Sequence, residues 1–172
     1  MILEELEHAK ARGAKIYAEV LGAASGSAMN RQGVANRKTV LTNVMTAAIK
    51  DAGLKPQDIG HVHAHGLSTR SCDEEEAAAL QTVFGNRSSQ PPITAAKSYF
   101  GNLGAASGLI ELIASALALK SGKLFRVLNL ETPDPRCELS LAGEEAAGGG
   151  SFLNVNVTPQ GQASAVVIAK AS

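Results

Sequence analysis

The segment HVHAHGLST occupies residues 61–69 and joins a strand-like run to a turn that contains glycine. Residues 61–64 are typical of a short β-strand, and the stretch from Asp73 to Phe84, rich in Glu and Ala, predicts a helix after the turn. A residue at the carboxyl end of such a strand points towards the crevice in which ligands bind in α/β folds. His65 holds that position, and Asp73 lies near the start of the next helix, where a carboxylate favours the helix dipole.

A second turn of the same kind occupies residues 94–108, which read TAAKSYFGNLGAASG. The pattern predicts a strand over residues 92–96 and a long, buried helix over residues 104–119, which is hydrophobic nearly all round. Small residues at such a turn allow the backbone to pass close to other backbone or to a ligand. Lys97 precedes the glycines, so the segment does not have the order of a phosphate-binding Walker loop.

The rest of the sequence predicts alternating helices and strands. A short helix opens the chain, residues 15–21 read as a strand and residues 22–33 as a loop, and residues 37–52 carry apolar side chains at helical spacing. Further strands are predicted over residues 124–127, 152–157 and 164–170. This alternation predicts a layered sheet covered by helices, and no linker divides the chain, so residues 1–172 are expected to form one domain.

Composition excludes several classes of protein. Lys and Arg together number 16, as do Asp and Glu, so the formal net charge is zero, which argues against a binder of nucleic acid or of a membrane surface. We find no apolar run of the roughly 18 residues that a membrane span requires. The two cysteines have no paired spacing and no secretory signal opens the chain, so a reduced, cytoplasmic setting is expected.

The residues alone leave alternatives to a catalytic role open for each candidate. A histidine before a glycine turn is often a structural hydrogen-bonding group, and Lys97 and Asn102 fit a solvated lysine and a helix N-cap. Period-two spacing also places His61, His63 and His65 on one face of a strand, where three histidines are able to hold zinc.

Taken together, the two turns resemble the signatures of the β-ketoacyl-acyl-carrier-protein synthases, the thiolase-like condensing enzymes. Residues 65–69 with Asp73 are similar to the HGTST-x3-D signature, and Lys97, Ser98 and Gly101 to the KSxxGH signature. The helix that begins GAASG and carries Glu111 is similar to the GAAG-x-x-E helix of the family. The likeness runs from residue 1 to the C-terminus and implies the C-terminal half of the enzyme. That half is a thiolase-like α/β unit, a mixed five-stranded sheet with helices on both faces.

The resemblance also implies chemistry for particular residues. His65 and Asn102 would polarise the thioester carbonyl of a malonyl group and stabilise the enolate that forms when carbon dioxide leaves. Lys97 and Glu111 would support them as an ion pair, with equal weight for a purely structural pair, and Asp73 and Thr69 complete the first signature. No cofactor and no metal are implied.

Two positions depart from the family pattern. Asn102 stands where the elongating synthases carry a second histidine, although the initiating and chalcone-synthase-like enzymes use a Cys-His-Asn set. Thr158 stands where a gating phenylalanine is expected in a glycine-rich loop, and Pro159 stiffens that loop. Neither Cys72 nor Cys137 matches the nucleophile of the family, and both are expected to be inert, although a hydrolase that pairs Cys72 with His65 is conceivable.

We therefore expect partners for this chain. They are an N-terminal half that carries the nucleophilic cysteine, acyl-carrier protein with its acyl and malonyl thioesters, and a second subunit in a homodimer or heterodimer. A non-catalytic subunit similar to a chain-length factor is the alternative. Alone, the chain is expected to expose the apolar helix over residues 104–119 and to self-associate.

Overall fold

The computed structural model describes residues 1–171, which contain one mixed five-stranded sheet. Its strands lie in the order β1-β5-β4-β2-β3, with the bounds Glu19–Ser27 (β1), His61–His63 (β2), Ile93–Thr94 (β3), Ser151–Val157 (β4) and Gln162–Ala169 (β5). The β4–β5 hairpin and the β1–β5 pair are antiparallel, whereas β2 runs parallel to both β3 and β4. The predicted mixed five-stranded sheet is therefore confirmed.

Helices cover both faces of this sheet. They comprise Leu6–Ala11 (α1), Arg37–Asp51 (α2), Arg70–Phe84 (α3), Lys97–Phe100 (α4) and Ser107–Ser121 (α5), with 3-10 turns at Pro56–Asp58 and Gly104–Ala106. Since side chains alternate along a strand, β4 turns Leu153 and Val155 into the main core with α2 and α3, and Phe152 towards α5. The same alternation directs His61, His63 and Asn156 towards the α5 face.

The first strand corrects the sequence prediction. It begins at Glu19 and continues to Ser27, through a run of glycine, alanine and serine that reads as a loop. These small residues are poor strand formers in isolation, but each pairs with β5, and α2 lies across them. A Cβ on Gly22 would lie 2.4 Å from the backbone nitrogen of Ala52, so only glycine allows the helix to approach this closely.

Residues 124–127 do not form the predicted strand. A single isolated bridge joins Lys123 to Ala147, and the backbone N–H of Leu124 donates to the carbonyl of Ala146 at 2.8 Å. Leu124 packs instead in a small apolar cluster with Ala118 and Ala142, below α5. Burial of the apolar side chains, rather than strand pairing, explains this run.

The long apolar helix forms, but only part of its surface is buried. Glu111 and Ser115 lie inside against the sheet, whereas Leu109, Ile110 and Leu117 are exposed. Together with the preceding 3-10 turn, the helix spans 18 residues and meets the length and composition of a membrane span, contrary to the sequence expectation. Its buried carboxylate and hydroxyl fit a helix that packs on the sheet of a globular protein.

Candidate functional site

His65 follows the carboxyl end of β2, as the sequence predicts, and its backbone is held by a buried carboxylate. The backbone N–H groups of His65 and Gly66 donate to Glu76 at 2.6 and 2.9 Å. Burial raises the pKa of Glu76 to about 7, although these two hydrogen bonds partly oppose the shift. The sequence indicates Glu76 only as one of several carboxylates near the start of the helix, where they favour its dipole, and does not predict its contact with His65.

The side chain of His65 is almost completely buried and lies between two polar neighbours. Its Nδ1 is 3.2 Å from Oδ1 of Asn156 and 3.3 Å from Nζ of Lys97. Desolvation, with the positive charge of Lys97 as the second cause, lowers the pKa of His65 to about 4. The imidazole is therefore neutral at pH 7 and carries a single ring proton.

Lys97 and Glu111 form a buried ion pair beside this histidine, and the solvated reading of Lys97 is wrong. Both residues are buried, and Nζ donates to Oε1 of Glu111 and, at 2.6 Å, to the backbone carbonyl of His65. Oε2 of Glu111 accepts from Nδ2 of Asn156 at 3.1 Å. The structure thus brings His65, Lys97 and Glu111 together, with Asn156 as a fourth member that sequence reasoning missed.

Asn102 stabilises the turn that leads into α5 and is not the N-cap of a helix: the N-cap positions are Leu103 for the 3-10 turn and Ala106 for α5. Its Oδ1 accepts from the backbone N–H of Gly104 at 3.1 Å and from the hydroxyl of Ser107 at 3.0 Å. The hydroxyl of Ser107 in turn accepts from the backbone N–H of Leu103 at 2.9 Å. The side chain is exposed, and its Nδ2 donates to no other group within residues 1–171. The amide therefore keeps a free donor while its oxygen fixes the turn.

Thr69 and Asp73 hold the turn that follows His65. The backbone N–H of Asp73 donates to the carbonyl of Thr69 at 2.9 Å. Ser68, which lies between β2 and α3, has a left-handed backbone, with φ 63°. Burial raises the pKa of Asp73, against hydrogen bonds from the backbone N–H groups of residues 67–69. In the structure, both residues support the turn from outside the group that surrounds the His65 ring.

Thr158 closes the turn between β4 and β5. The backbone N–H of Thr158 donates to the carbonyl of Gln162 at 2.7 Å, and the hydroxyl of Thr158 accepts from the backbone N–H of Gln162 at 3.2 Å. Thr158 and His65 line one cavity of about 540 Å³, which Leu109, Leu112 and Asn156 also line. The cavity opens beside α5, so it offers space for a ligand next to the His65 ring.

The two upstream histidines are engaged elsewhere, which counts against the zinc alternative. Nε2 of His63 accepts from the backbone N–H of Ala96 at 3.1 Å, so its Nδ1 carries the proton and donates to the hydroxyl of Ser115 at 2.7 Å. Nδ1 of His61 donates to the carbonyl of Gly148 at 2.7 Å, and its ring stacks on Phe152. Among residues 1–171, no group of three or more His, Cys, Asp or Glu side chains is placed to hold a metal ion.

Neither cysteine has the character of a nucleophile. Cys72 is buried, and desolvation raises the pKa of its thiol to about 11; the pKa of Cys137 is also raised, mainly by burial. Since the thiolate is the reactive form, the raised pKa values disfavour either residue as a nucleophile.

Comparisons with known proteins agree with this arrangement. The family model described as "Beta-ketoacyl synthase, C-terminal domain" matches residues 17–131. The chain is 38% identical over 147 residues to the 3-oxoacyl-acyl-carrier-protein synthase 2 of Staphylococcus aureus, a match that covers 85% of this chain and 36% of that protein. The chain therefore spans about a third of the length of the curated relatives that it matches.

Solved structures that are similar to this chain are also ketosynthases. The ishigamide ketosynthase/chain length factor superposes with a TM-score of 0.90 at 29% identity, over 98% of this chain and 42% of that one. A type II polyketide-synthase acyl-carrier protein in complex with its ketosynthase bound to the hexaketide gives 0.89 at 30% identity, over 98% and 42%. With the sheet, the His65 turn and the buried Lys97–Glu111 pair in place, the chain belongs to the β-ketoacyl synthase family, of which it forms a C-terminal, thiolase-like domain.

Proposed function

We propose that this chain is the C-terminal catalytic domain of a 3-oxoacyl-acyl-carrier-protein synthase that works together with a cysteine-bearing N-terminal half. In this reaction the cysteine first holds an acyl group as a thioester. A malonyl thioester then loses carbon dioxide as its C–C bond breaks, and the resulting enolate attacks the acyl carbonyl and expels the cysteine thiolate. Acyl-carrier protein presents the thioesters, and the reaction takes place in the cytoplasm.

The observation that carries the proposal is the buried group around His65 beside an open cavity. With its proton on Nε2, the imidazole donates a hydrogen bond to the thioester oxygen as that oxygen becomes negative, and Nδ2 of Asn102 is a second donor. Lys97 supplies a fixed positive charge within 3.3 Å of the ring, and Glu111 holds Lys97 in place. Thr158 lines the wall of the cavity, where it limits the room for an acyl chain.

Decarboxylation of a malonyl thioester on acyl-carrier protein tests this role. The chain is assembled with a cysteine-bearing N-terminal half of a related synthase, and carbon dioxide release is measured for the wild type and for His65→Ala. We expect the variant to lose roughly 100-fold or more in rate, since one donor to an oxyanion contributes on that order. The exposed His8→Ala variant is the matched control, and an equal rate for His65→Ala and the control would show that His65 is not catalytic.

A second candidate function is a non-catalytic subunit that sets the chain length of a partner synthase. It is favoured by the engagement of the Asn102 side chain within its own turn and by the likeness to a ketosynthase/chain length factor. In that case, addition of the chain to a separate active synthase changes the length distribution of its products, and His65→Ala has no effect on that distribution. Mass spectrometry of the products separates this function from the first.

A further inference from the structure

Asn156 is a polar side chain on β4 that contacts two members of the site. Its Oδ1 lies 3.2 Å from Nδ1 of His65, and its Nδ2 donates to Oε2 of Glu111 at 3.1 Å. A carboxylate only accepts hydrogen bonds, so Glu111 fixes the amide with Nδ2 on its own side and Oδ1 on the side of His65. Asn156 therefore presents an acceptor, and not a donor, to the imidazole.

Gly108 leaves room for this amide. A Cβ on Gly108, in the first turn of α5, would lie 3.1 Å from Nδ2 and 3.3 Å from Cγ of Asn156. The absence of a side chain at Gly108 thus leaves the space that the amide occupies, and the hydrogen bonds set which end of the amide faces His65.

Two neighbours make opposite demands on Nδ1 of His65. Asn156 requires a proton on Nδ1, whereas Lys97, at 3.3 Å, is a donor that favours a lone pair there. Two of the three N–H groups of Lys97 have closer acceptors, the carbonyl of His65 at 2.6 Å and the carboxylate of Glu111, and the third competes for Nδ1. Oδ1 of Asn156 has no other protein donor within residues 1–171.

We propose that Asn156 is a positioning residue that holds the single ring proton of His65 on Nδ1 and so leaves Nε2 without a proton. The free chain then contains mainly the tautomer whose Nε2 accepts hydrogen bonds. The donor tautomer needed for the reaction is the minor form, and it must appear before His65 donates to a thioester oxygen. This catalytic consequence rests on the proposed function, whereas the tautomer itself does not.

Nitrogen NMR tests the tautomer without any substrate. The full chain is labelled with 15N in its histidines, and long-range correlations at pH 7 give the protonation of both ring nitrogens of His65, which is assigned by the loss of its signals in His65→Gln. We expect a protonated Nδ1 and a bare Nε2 in the wild type. In Asn156→Leu only Lys97 remains beside Nδ1, so we expect the major form to invert, with the proton on Nε2.

Two further variants complete the design. Asn154→Leu is the matched control, because Asn154 lies on the same strand opposite His63 and forms no hydrogen bond with His65, so the His65 signals are expected to stay as in the wild type. Gly108→Ala displaces the amide from the other side and is expected to shift the tautomer in the same direction as Asn156→Leu. It decides the question if Asn156→Leu fails to fold.

A proton on Nε2 in the wild type would overturn the proposal, as would signals that neither Asn156→Leu nor Gly108→Ala alters. In the assembled synthase, we expect Asn156→Leu to raise kcat for decarboxylation several-fold with little change in KM, since more of the histidine is in the donor form. An inverted tautomer with unchanged kcat would leave the assignment of Asn156 intact and would contradict the donor role of His65.

Discussion

The Lys97–Glu111 pair is the most buried charge interaction among the described residues, and it makes a direct prediction about stability. A buried ion pair gains little over an apolar pair, but a single buried charge left without its partner is costly. We expect Lys97→Met and Glu111→Met each to lower the free energy of unfolding by about 3–5 kcal/mol. The double variant is expected to lose much less than the sum.

Denaturant unfolding of the wild type, the two single variants and the double variant measures the coupling energy between Lys97 and Glu111. The exposed pair Arg70–Glu74 on α3 provides the control cycle, for which we expect a coupling of about 0.3–0.5 kcal/mol. Additive losses for Lys97 and Glu111 would contradict the pairing seen in the structure.

The residues that sequence reasoning found and missed differ in a physical way. His65, Lys97 and Glu111 stand at fixed spacing within two local motifs, so the sequence alone was enough to select them. Asn156 meets His65 only because β4 lies beside β2 in the sheet, 91 residues apart along the chain. Glu76 reaches the backbone of His65 because α3 turns back over the loop. Contacts of this kind depend on strand order and helix direction, which no local pattern encodes.

Two substitutions of Asn102, which precedes α5, separate a structural role of this residue from a catalytic one. Replacement by Ala removes the two hydrogen bonds that Oδ1 accepts and is expected to cost about 1 kcal/mol of stability. Asn102→Asp keeps an acceptor for Gly104 and Ser107 but removes the Nδ2 donor. We therefore expect Asn102→Asp to unfold like the wild type and to lose activity in the decarboxylation assay. Full activity in Asn102→Asp would restrict Asn102 to a structural role in the turn.

The sequence predicts a loop where β1 continues to Ser27, and the packing of α2 on Gly22 offers a physical reason that can be tested. The small residues of β1 carry no strand pattern, but α2 approaches so closely at Gly22 that an added methyl group would meet backbone atoms of Ala48 and Ala52 within 2.4–2.9 Å. We expect Gly22→Ala to destabilise the fold by about 1–3 kcal/mol, the usual cost of overpacking.

Gly26→Ala is the matched control on the same strand. Its Cβ would make ordinary contacts of 3.6 and 3.9 Å with Val44 and Val40. We expect little loss of stability, as measured by thermal unfolding. Equal melting temperatures for the two variants would mean that close approach of α2 does not explain the glycine at position 22.

Burial of three histidines predicts that the protein loses stability in acid. Burial, the leading cause in each case, lowers the pKa values of His61, His63 and His65 to about 4, 3 and 4. Below pH 6.5 the unfolded chain binds more protons at these sites than the folded chain, so the free energy of unfolding falls as the pH drops towards 4. Each site contributes up to about 1.4 kcal/mol per pH unit.

Protonation of the Glu76 carboxylate has the opposite effect on stability. Its pKa is raised in the folded chain to about 7, so its contribution to stability is present at low pH and is lost as the pH rises from 4.5 to 7. The histidines outnumber it, so we expect a net fall on acidification and a steeper fall in Glu76→Gln. Denaturant midpoints between pH 4.5 and 7.5 give both slopes, and a flat profile would contradict the burial of neutral histidines.

An exposed apolar surface lies along α5 and predicts how the chain behaves on its own. Leu109, Ile110 and Leu117 are exposed, and a cavity of about 880 Å³ opens between α5 and the N-terminal segment, lined mostly by apolar side chains. Burial of such a surface contributes about 25 cal/mol per Å², so contact between two copies, or with a separate N-terminal half, is favourable.

We expect the lone chain to self-associate at micromolar concentration and Leu117→Lys to weaken this association, because the charge lies on the exposed face. Light scattering at several concentrations measures the change. Leu130→Lys places the same charge at an exposed leucine outside α5 and should leave the association unchanged. Addition of a cysteine-bearing N-terminal half should suppress self-association of the wild type, since it competes for the same face. A monodisperse monomer at all concentrations would show that this surface is compatible with solvent and needs no partner.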